Sequence, residues 1–343
     1  MNSGVFPEDT RALDAWAAKH VPGYAGPSAA TKFPTGQSNP TYLITSPSGR
    51  YVLRRKPAGK LLKSAHMVER EFRVMRALNG ADYPAPIALA LCEDESVAGA
   101  VFYLMSHVEG RIFWDPGLPE SPREERIGIY DAMNYALAKL HKVDIAAAGL
   151  SDFGKPGNYF HRQWQRWSEQ YRASETGEIG PMNQLIDWLG ANMPPDDGRV
   201  AIVHGDYRID NMIFDAKSPR LLAVLDWELS TLGHPFADLA YQCMQWRLPN
   251  ANDFRGLGGL DRRALGLPEE AAYVADYCRR TGLASVPHWT FLIAFSFFRI
   301  AAIAQGVYKR ALDGNASNPE RARTMGAAVP MMAKLAIETI KTG

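Results

Sequence analysis

Two runs of β-branched and aromatic residues, TYLIT at 41–45 and YVLRR at 51–55, flank the cluster Ser46-Pro47-Ser48-Gly49. Such runs about a Pro/Ser/Gly turn predict a hairpin. From Ser64 to Leu78 the period lengthens, with Met67, Phe72, Val74, Met75 and Leu78 recurring at helical spacing, so a helix follows. VFYLMSHV, residues 101–108, reads as a strand again. Beyond Gly110 helical periods dominate: Ile127 to His141, Asn158 to Ala173, Met182 to Leu189, and long helices from Glu269 onward. One stretch interrupts them. Between Val200 and Ala240 the short apolar strands RVAIV, NMIF and LLAVLD alternate with polar loops. There is no internal repeat.

At 343 residues the chain exceeds the roughly 250 to 300 at which a single core stops growing, so two lobes are expected. A hydrophobic share of 46% with 22% charged residues is globular, not disordered. Lys and Arg total 38 against 37 Asp and Glu, a formal charge of +1. That balance offers no long-range field for nucleic acid or an anionic membrane, and neither is expected as a partner. Cys92, Cys243 and Cys278 lie far apart with no CxxC pair, which argues against zinc or disulfides and fits a cytoplasmic setting. The first 20 residues lack the basic and apolar regions of a signal peptide. The longest apolar run, Trp289 to Ala304, has 16 residues and contains Arg299. A membrane helix needs about 20, so a buried core helix is expected.

The unusual chemistry collects in His204-Gly205-Asp206-Tyr207-Arg208-Ile209-Asp210-Asn211, between the strands AIV and MIF. Asp226 closes LLAVLD, and a hairpin would bring Asp206, Asn211 and Asp226 to one rim. Hard oxygen donors with open positions suit Mg²⁺, which keeps waters and substrate phosphates in its shell. Each residue alone is common in turns. The D-x4-N spacing followed by a strand-terminal Asp is the order in which kinases supply a catalytic Asp, a metal-binding Asn and a metal-binding Asp. GxGxxG and G-x4-GK[ST] fingerprints do not occur, which excludes the motif-based dinucleotide and P-loop readings.

HGDYRIDN followed by VLDWE resembles the phosphotransferase family that contains aminoglycoside phosphotransferases, choline kinase and related small-molecule kinases. The resemblance extends through GQSNPTYLI, YVLRRKP, VEREFRVMRAL and FYLMSHVEG, from about Thr35 to Ala240. It implies an α+β, two-lobe protein-kinase-like fold: a nucleotide-binding lobe over 1–108, and a helical lobe over 109–343 carrying a catalytic loop at 203–211 and a metal-binding hairpin at 221–228. GQSNPTY, LRRKP, LDWELSTLGHPFADLAY and FRIAAIAQGVYKR are most similar to the branch of kinase domains found beside or fused to acyl-CoA dehydrogenases. Such a dehydrogenase is therefore an implied partner.

Residue by residue, the resemblance makes Asp206 the carboxylate that accepts the substrate hydroxyl proton, with Asn211 and Asp226 holding Mg²⁺ against the phosphates of ATP. His204 holds the loop by hydrogen bonds, and Asp238 braces it from a helix start. Glu228 either touches a second metal or stands exposed. Arg54 takes the place of the usual phosphate-contacting lysine, with Glu71 as its helix partner, and the register among Arg54, Arg55 and Lys56 stays open. Gly36, Ser38 and Asn39 belong to the loop covering the phosphates; Met105, Ser106 and Val108 face the adenine.

The segment from Tyr241 to the end carries 13 Lys and Arg against 8 Asp and Glu. In this fold the acceptor lies against those helices, so an anionic acceptor is favoured, a hydroxyacyl-CoA or a hydroxy acid. An aminoglycoside or amino-alcohol is the alternative acceptor. A catalytically silent nucleotide-binding module serving a dehydrogenase is the non-enzyme alternative. Arg299, an arginine among apolar neighbours, requires a paired carboxylate or an anionic ligand. Trp164, Trp167 and Tyr171 have the helical spacing of core packing.

Overall fold

The computed structural model describes residues 6–34, 39–57, 66–251, 254–314 and 319–342. By packing, the chain divides into two units interleaved in sequence. One comprises Met1–Arg111, Ala146–Leu150 and Asn211–Ser230; the other comprises Ile112–Ile145, Ser151–Asp210 and Thr231–Gly343.

The first unit begins with helix α1 (Arg11–His20) and strand β1 (Ala29–Lys32), followed by β2 (Thr41–Ser46) and β3 (Gly49–Arg55). Helix α2 (Val68–Gly80), strand β4 (Ala88–Cys92), the short helix α3 (Glu95–Ala98) and strand β5 (Phe102–Ser106) complete its N-terminal part. The strands form one antiparallel sheet in the order β1-β2-β3-β5-β4. The expected hairpin is β2–β3, registered from Thr41 opposite Arg54 to Ser46 opposite Gly49. Gly49 supplies the turn with a φ of 137°, which a side chain would resist. The expected start of α2 at Ser64 lies outside the described residues.

Period-two alternation assigns the sheet two faces. Tyr42, Ile44, Leu53, Phe102 and Leu104 turn to one face and form a core with Leu13, Ala17 and Val21 of α1 and its flank. Arg54 and its cross-strand partner Tyr103 turn to the other, where Tyr103 meets Phe72 of α2 with ring centroids 6.1 Å apart.

The strands Met212–Phe214 and Leu221–Val224 pair as an antiparallel hairpin. Backbone bonds fasten it to the rest of this unit: Arg111 and Phe214 exchange both N–H···O bonds, and Val224 N–H donates to Pro84 O. Gly110 is needed there, since a Cβ would stand 2.3 Å from Phe214 O.

In the second unit the helix Arg123–His141 packs against Glu270–Thr281 and the strand Ala201–Val203. The latter pairs antiparallel with Thr231–Gly233, aligning Val203 with Thr231. The apolar run at Trp289 becomes the helix Trp289–Leu312, buried at Phe291 through Arg299 and packed against Tyr159–Ala173, Phe236–Cys243 and Pro319–Thr342. It is long and apolar enough to cross a membrane by length and composition, but 78% of its most apolar window is buried within the protein, as a core helix requires.

Candidate active site

In the first unit, strand parity settles which cation meets α2. Arg55 turns to the α1 face, its guanidinium 5.4 Å from the Phe6 ring centroid and 5.5 Å from that of Tyr42. Lys56, beyond the strand, pairs with Glu69. Arg54 turns to α2, where its Nε lies 2.9 Å from Glu71 Oε2. The same guanidinium reaches Asp226 Oδ1 at 2.8 Å and Glu228 Oε2 at 3.2 Å through NH2. One planar fork thus serves three carboxylates, which a lysine's single ammonium cannot do with the same geometry.

Glu71 is 1% exposed and also accepts from Asn39 Nδ2 at 2.9 Å and Tyr103 Oη at 3.0 Å. Burial pushes its carboxyl above the ordinary value; Arg54 opposes this, and the charge of Asp226 adds to it. Asn39 is therefore committed to Glu71, with His66 Nδ1 3.0 Å from its Oδ1. Gly36 and Ser38, assigned with it to the covering loop, lie outside the described residues.

Arg54→Met leaves Glu71 buried without its cation, a loss of about 3 kcal/mol or more when a buried pair is broken. A buried Glu that folds with a raised pKa contributes fully below its unfolded value, and its contribution is lost as pH rises through the folded value. The variant's stability deficit should therefore be larger at pH 8 than at pH 5 in denaturant unfolding, and Glu71→Gln added to it should remove that difference. An equal deficit at both pH values would contradict the assignment.

Asp226 follows the strand Leu221–Val224 with φ 63° and ψ 62°, a left-handed conformation unusual for a residue with a side chain and frequent at functional sites. Leu225 N–H donates to Asn211 O at 2.8 Å, so the hairpin holds the backbones around Asn211 and Asp226 together. Glu228 sits in the short 3-10 turn Trp227–Leu229. Among the described residues, no group of three or more His, Cys, Asp and Glu side chains forms a metal cage. The set Asn211, Asp226 and Glu228 is one of hard oxygens that needs outside ligands to complete a shell, and it fits Mg²⁺ with phosphate oxygens.

Ser106 N–H is bonded to Ile87 O at 2.9 Å, and Ser106 Oγ accepts from Ile87 N–H. Any adenine contact by Ser106 would thus fall to its carbonyl or its hydroxyl proton, not its N–H. Met105 and Val108 lie in and just beyond the end of β5, both half-buried.

In the second unit, the loop after Ala201–Val203 hangs on Asp238, on the first turn of Phe236–Cys243. Asp238 Oδ2 accepts His204 N–H at 2.6 Å, and Oδ1 accepts Gly205 N–H at 2.8 Å. His141 Nε2 stands 3.4 Å from Oδ2. Burial would raise the Asp238 carboxyl, but these bonds and His141 outweigh it and hold the carboxyl below its ordinary value. His204 Nδ1 accepts Asp206 N–H at 3.1 Å, so that nitrogen carries no proton and the ring acts as a brace inside the loop.

A lowered Asp pKa means stability that is present above the unfolded value, about 3.9, and lost as pH falls through the folded value. Asp238→Asn should accordingly flatten the acid limb of the stability–pH curve, measured by urea unfolding between pH 3 and 6. An unchanged limb would remove Asp238 from this account.

Two groups absent from the sequence reading hold Asp206. Tyr241 Oη donates to Asp206 Oδ1 at 2.6 Å, and Arg208 Nε lies 3.2 Å from the same oxygen while its NH2 reaches Asp210 Oδ2 at 2.9 Å. Burial and the Asp206 charge raise the Tyr241 hydroxyl far above its usual range, so it remains a donor. The legible signal was spacing: Tyr241 follows Asp238 by three residues on one helix, which places both on the same face.

Arg299 is 7% exposed and lies over two rings, 5.5 Å from the Tyr241 centroid and 6.0 Å from that of Trp167. Trp167 and Tyr171 are buried as expected of core residues. A separate cavity of about 190 Å³ is lined by Tyr159, Phe160, Pro195, His234 and Phe236, with neither Asp206 nor Arg299 in its wall.

Residues 29–285 match the phosphotransferase enzyme family. A crystal structure from Ralstonia eutropha, described provisionally as an aminoglycoside phosphotransferase, is 50% identical with a TM-score of 0.88, covering 97% of this chain and 98% of that one. Acyl-CoA dehydrogenase family member 10 of Mus musculus is 49% identical over 312 residues. The match takes in 91% of this chain but only 29% of that protein. A thermostable mutant of an aminoglycoside phosphotransferase, in a ternary complex with AMP-PNP and hygromycin B, has a TM-score of 0.62 at 15% identity, a likeness of fold alone. These matches bear out the α+β, two-lobe protein-kinase-like fold and the resemblance carried by HGDYRIDN and VLDWE.

Proposed function

The chain belongs to the phosphotransferase enzyme family and is a small-molecule kinase; from that premise we propose that it uses MgATP to phosphorylate a hydroxyl of an anionic metabolite, a hydroxyacyl-CoA or related hydroxy acid. The observation that carries the chemistry is Asp206, a carboxylate gripped by the Tyr241 hydroxyl on a loop whose backbone is bonded to buried Asp238. Such a fixed carboxylate can orient an acceptor hydroxyl and take its proton while the oxygen attacks the γ-phosphorus. The bond from that phosphorus to the β-phosphate bridging oxygen breaks, and ADP leaves with its electron pair.

ATP as donor is supported by the AMP-PNP complex of the structural neighbour. Asn211 and Asp226, with Glu228 beside them, would hold Mg²⁺, which supplies charge neutralisation across the phosphates. Arg54, positioned by Glu71, would add a cation on the phosphate side, and Met105 with the backbone of Ser106 and Val108 would border the adenine. In this reading 1–108 form the nucleotide-binding lobe and 109–343 the lobe with the catalytic loop.

For the acceptor, the acyl-CoA association rests on the names of the 49% and 41% identical relatives, acyl-CoA dehydrogenase family members 10 and 11. An aminoglycoside is favoured instead by the description of the Ralstonia eutropha structure. A screen of hydroxyacyl-CoAs, free hydroxy acids and aminoglycosides with MgATP, read by mass gain of one phosphoryl group, decides between them. Gain on an acyl or carboxylate acceptor is expected; gain on aminoglycosides alone would overturn the acceptor assignment. Asp226→Ala should weaken Mg²⁺-dependent nucleotide binding by at least the about 10- to 100-fold typical of lost outer-shell partners. Calorimetry showing unchanged metal dependence would contradict the metal assignment.

A further inference from the structure

Arg299 is buried in the helix Trp289–Leu312, yet among the described residues it makes no ion pair and no hydrogen bond. It lies over the faces of Tyr241 and Trp167, and its charge also acts on the Tyr159 hydroxyl. Among the described residues, none of its nitrogens is both sealed from solvent and unbonded, so its donors keep some accessible surface. Aromatic faces contribute about 2 kcal/mol to a desolvated cation, less than the several kcal/mol that burying an unpaired charge costs. The guanidinium thus keeps a fork of strong donors unspent, at a position where, among the described residues, no carboxylate pairs with it.

Its location gives that fork a purpose. The ring of Tyr241 lies beneath Arg299, and the hydroxyl of the same side chain is bonded to Asp206. Arg299 on the ring face and Asp206 at the hydroxyl thus share one tyrosine, all three on the second unit. Resting on the kinase reading above, we infer that Arg299 is the specificity-determining residue for the acceptor. It receives the acyl oxygen of a hydroxyacyl acceptor, the carboxylate of a free acid or the carbonyl of a thioester, while the acceptor hydroxyl meets Asp206. Tyr241 bridges the two contacts, its ring under the guanidinium and its hydroxyl on Asp206.

The test is direct binding, without turnover, of three probes matched in carbon skeleton: 3-hydroxybutyrate, 3-hydroxybutyryl-CoA and butane-1,3-diol. Each is titrated calorimetrically into wild type, Arg299→Met, Arg299→Lys and Tyr241→Phe. A hydrogen bond to a charged group contributes enough for about a 10- to 100-fold preference. Wild type should prefer at least one acyl probe to the diol by that factor. Arg299→Met should erase the preference, Arg299→Lys should keep part of it, and ATP affinity should stay unchanged. Tyr241→Phe, which keeps the ring, should retain the preference in these titrations, and in a separate turnover assay it should lower kcat.

Loss confined to the free acid assigns the carboxylate; loss on the thioester assigns its carbonyl. The inference is overturned if wild type binds the diol as tightly as both acyl probes, or if folded Arg299→Met keeps the preference. Arg299-dependent binding of probes that gain no phosphoryl group would instead sink the kinase reading of the acceptor and leave the Arg299 contact standing.

Discussion

Asp206→Asn is expected to lower turnover by about 10²- to 10⁴-fold, the usual contribution of a positioned general base. The amide keeps an oxygen to accept the Tyr241 hydroxyl, now bonded at 2.6 Å. The loop should therefore hold its shape, and thermal unfolding should shift little. Loss of the charge removes proton acceptance and the half-buried ion pair with Arg208. Nucleotide affinity should stay within a few-fold, because Arg54, Glu71 and Asp226 are untouched. The measurement is kcat with a verified acceptor alongside the ATP dissociation constant. Turnover within tenfold of wild type would remove Asp206 from the proton-accepting role.

The second large effect is structural in origin. Asp238→Ala strips acceptors from the N–H groups of His204 and Gly205 and leaves His141 facing an empty site. Removing one partner from a buried charged network costs about 3 to 5 kcal/mol. Because these bonds hold the two residues preceding Asp206, kcat should fall with stability. Hydrogen exchange at the His204 and Gly205 amides should accelerate even at temperatures where the variant remains folded. A stability loss below about 1 kcal/mol with unaltered exchange would show that the loop has another anchor.

Much of this was legible in the residues because local pattern and tertiary need agree. The β2–β3 hairpin declares itself by β-branched runs about a glycine turn, and α2 by apolar spacing. HGDYRIDN and VLDWE were legible for another reason: few structural demands put two carboxylates, an imidazole and an amide between apolar strands. Other elements left little trace. Strand β1, AATK, is mostly exposed, and only its pairing with β2 makes it a strand. Thr231–Gly233 is three residues long and depends on Ala201–Val203, distant in sequence.

The choice among Arg54, Arg55 and Lys56 needed the sheet's two covered faces, since Arg54 and Arg55, adjacent on β3, both have buried neighbours. That Arg54 would reach past Glu71 to Asp226 and Glu228 is a long-range fact with no local signal. Arg299 shows the limit from the other side. Its apolar surroundings demanded a partner, and an internal carboxylate was the commoner solution; the fold supplies two aromatic rings instead.

The central claim is phosphoryl transfer from ATP to an acceptor hydroxyl with Asp206 as its base. It is tested most directly by counting ADP formed against phosphorylated acceptor, by mass spectrometry, for wild type and Asp206→Asn at equal nucleotide saturation. The account predicts one phosphorylated acceptor per ADP in wild type and a collapse of both in the variant. ADP formed without phosphorylated acceptor, or equal product from the two proteins, would contradict it.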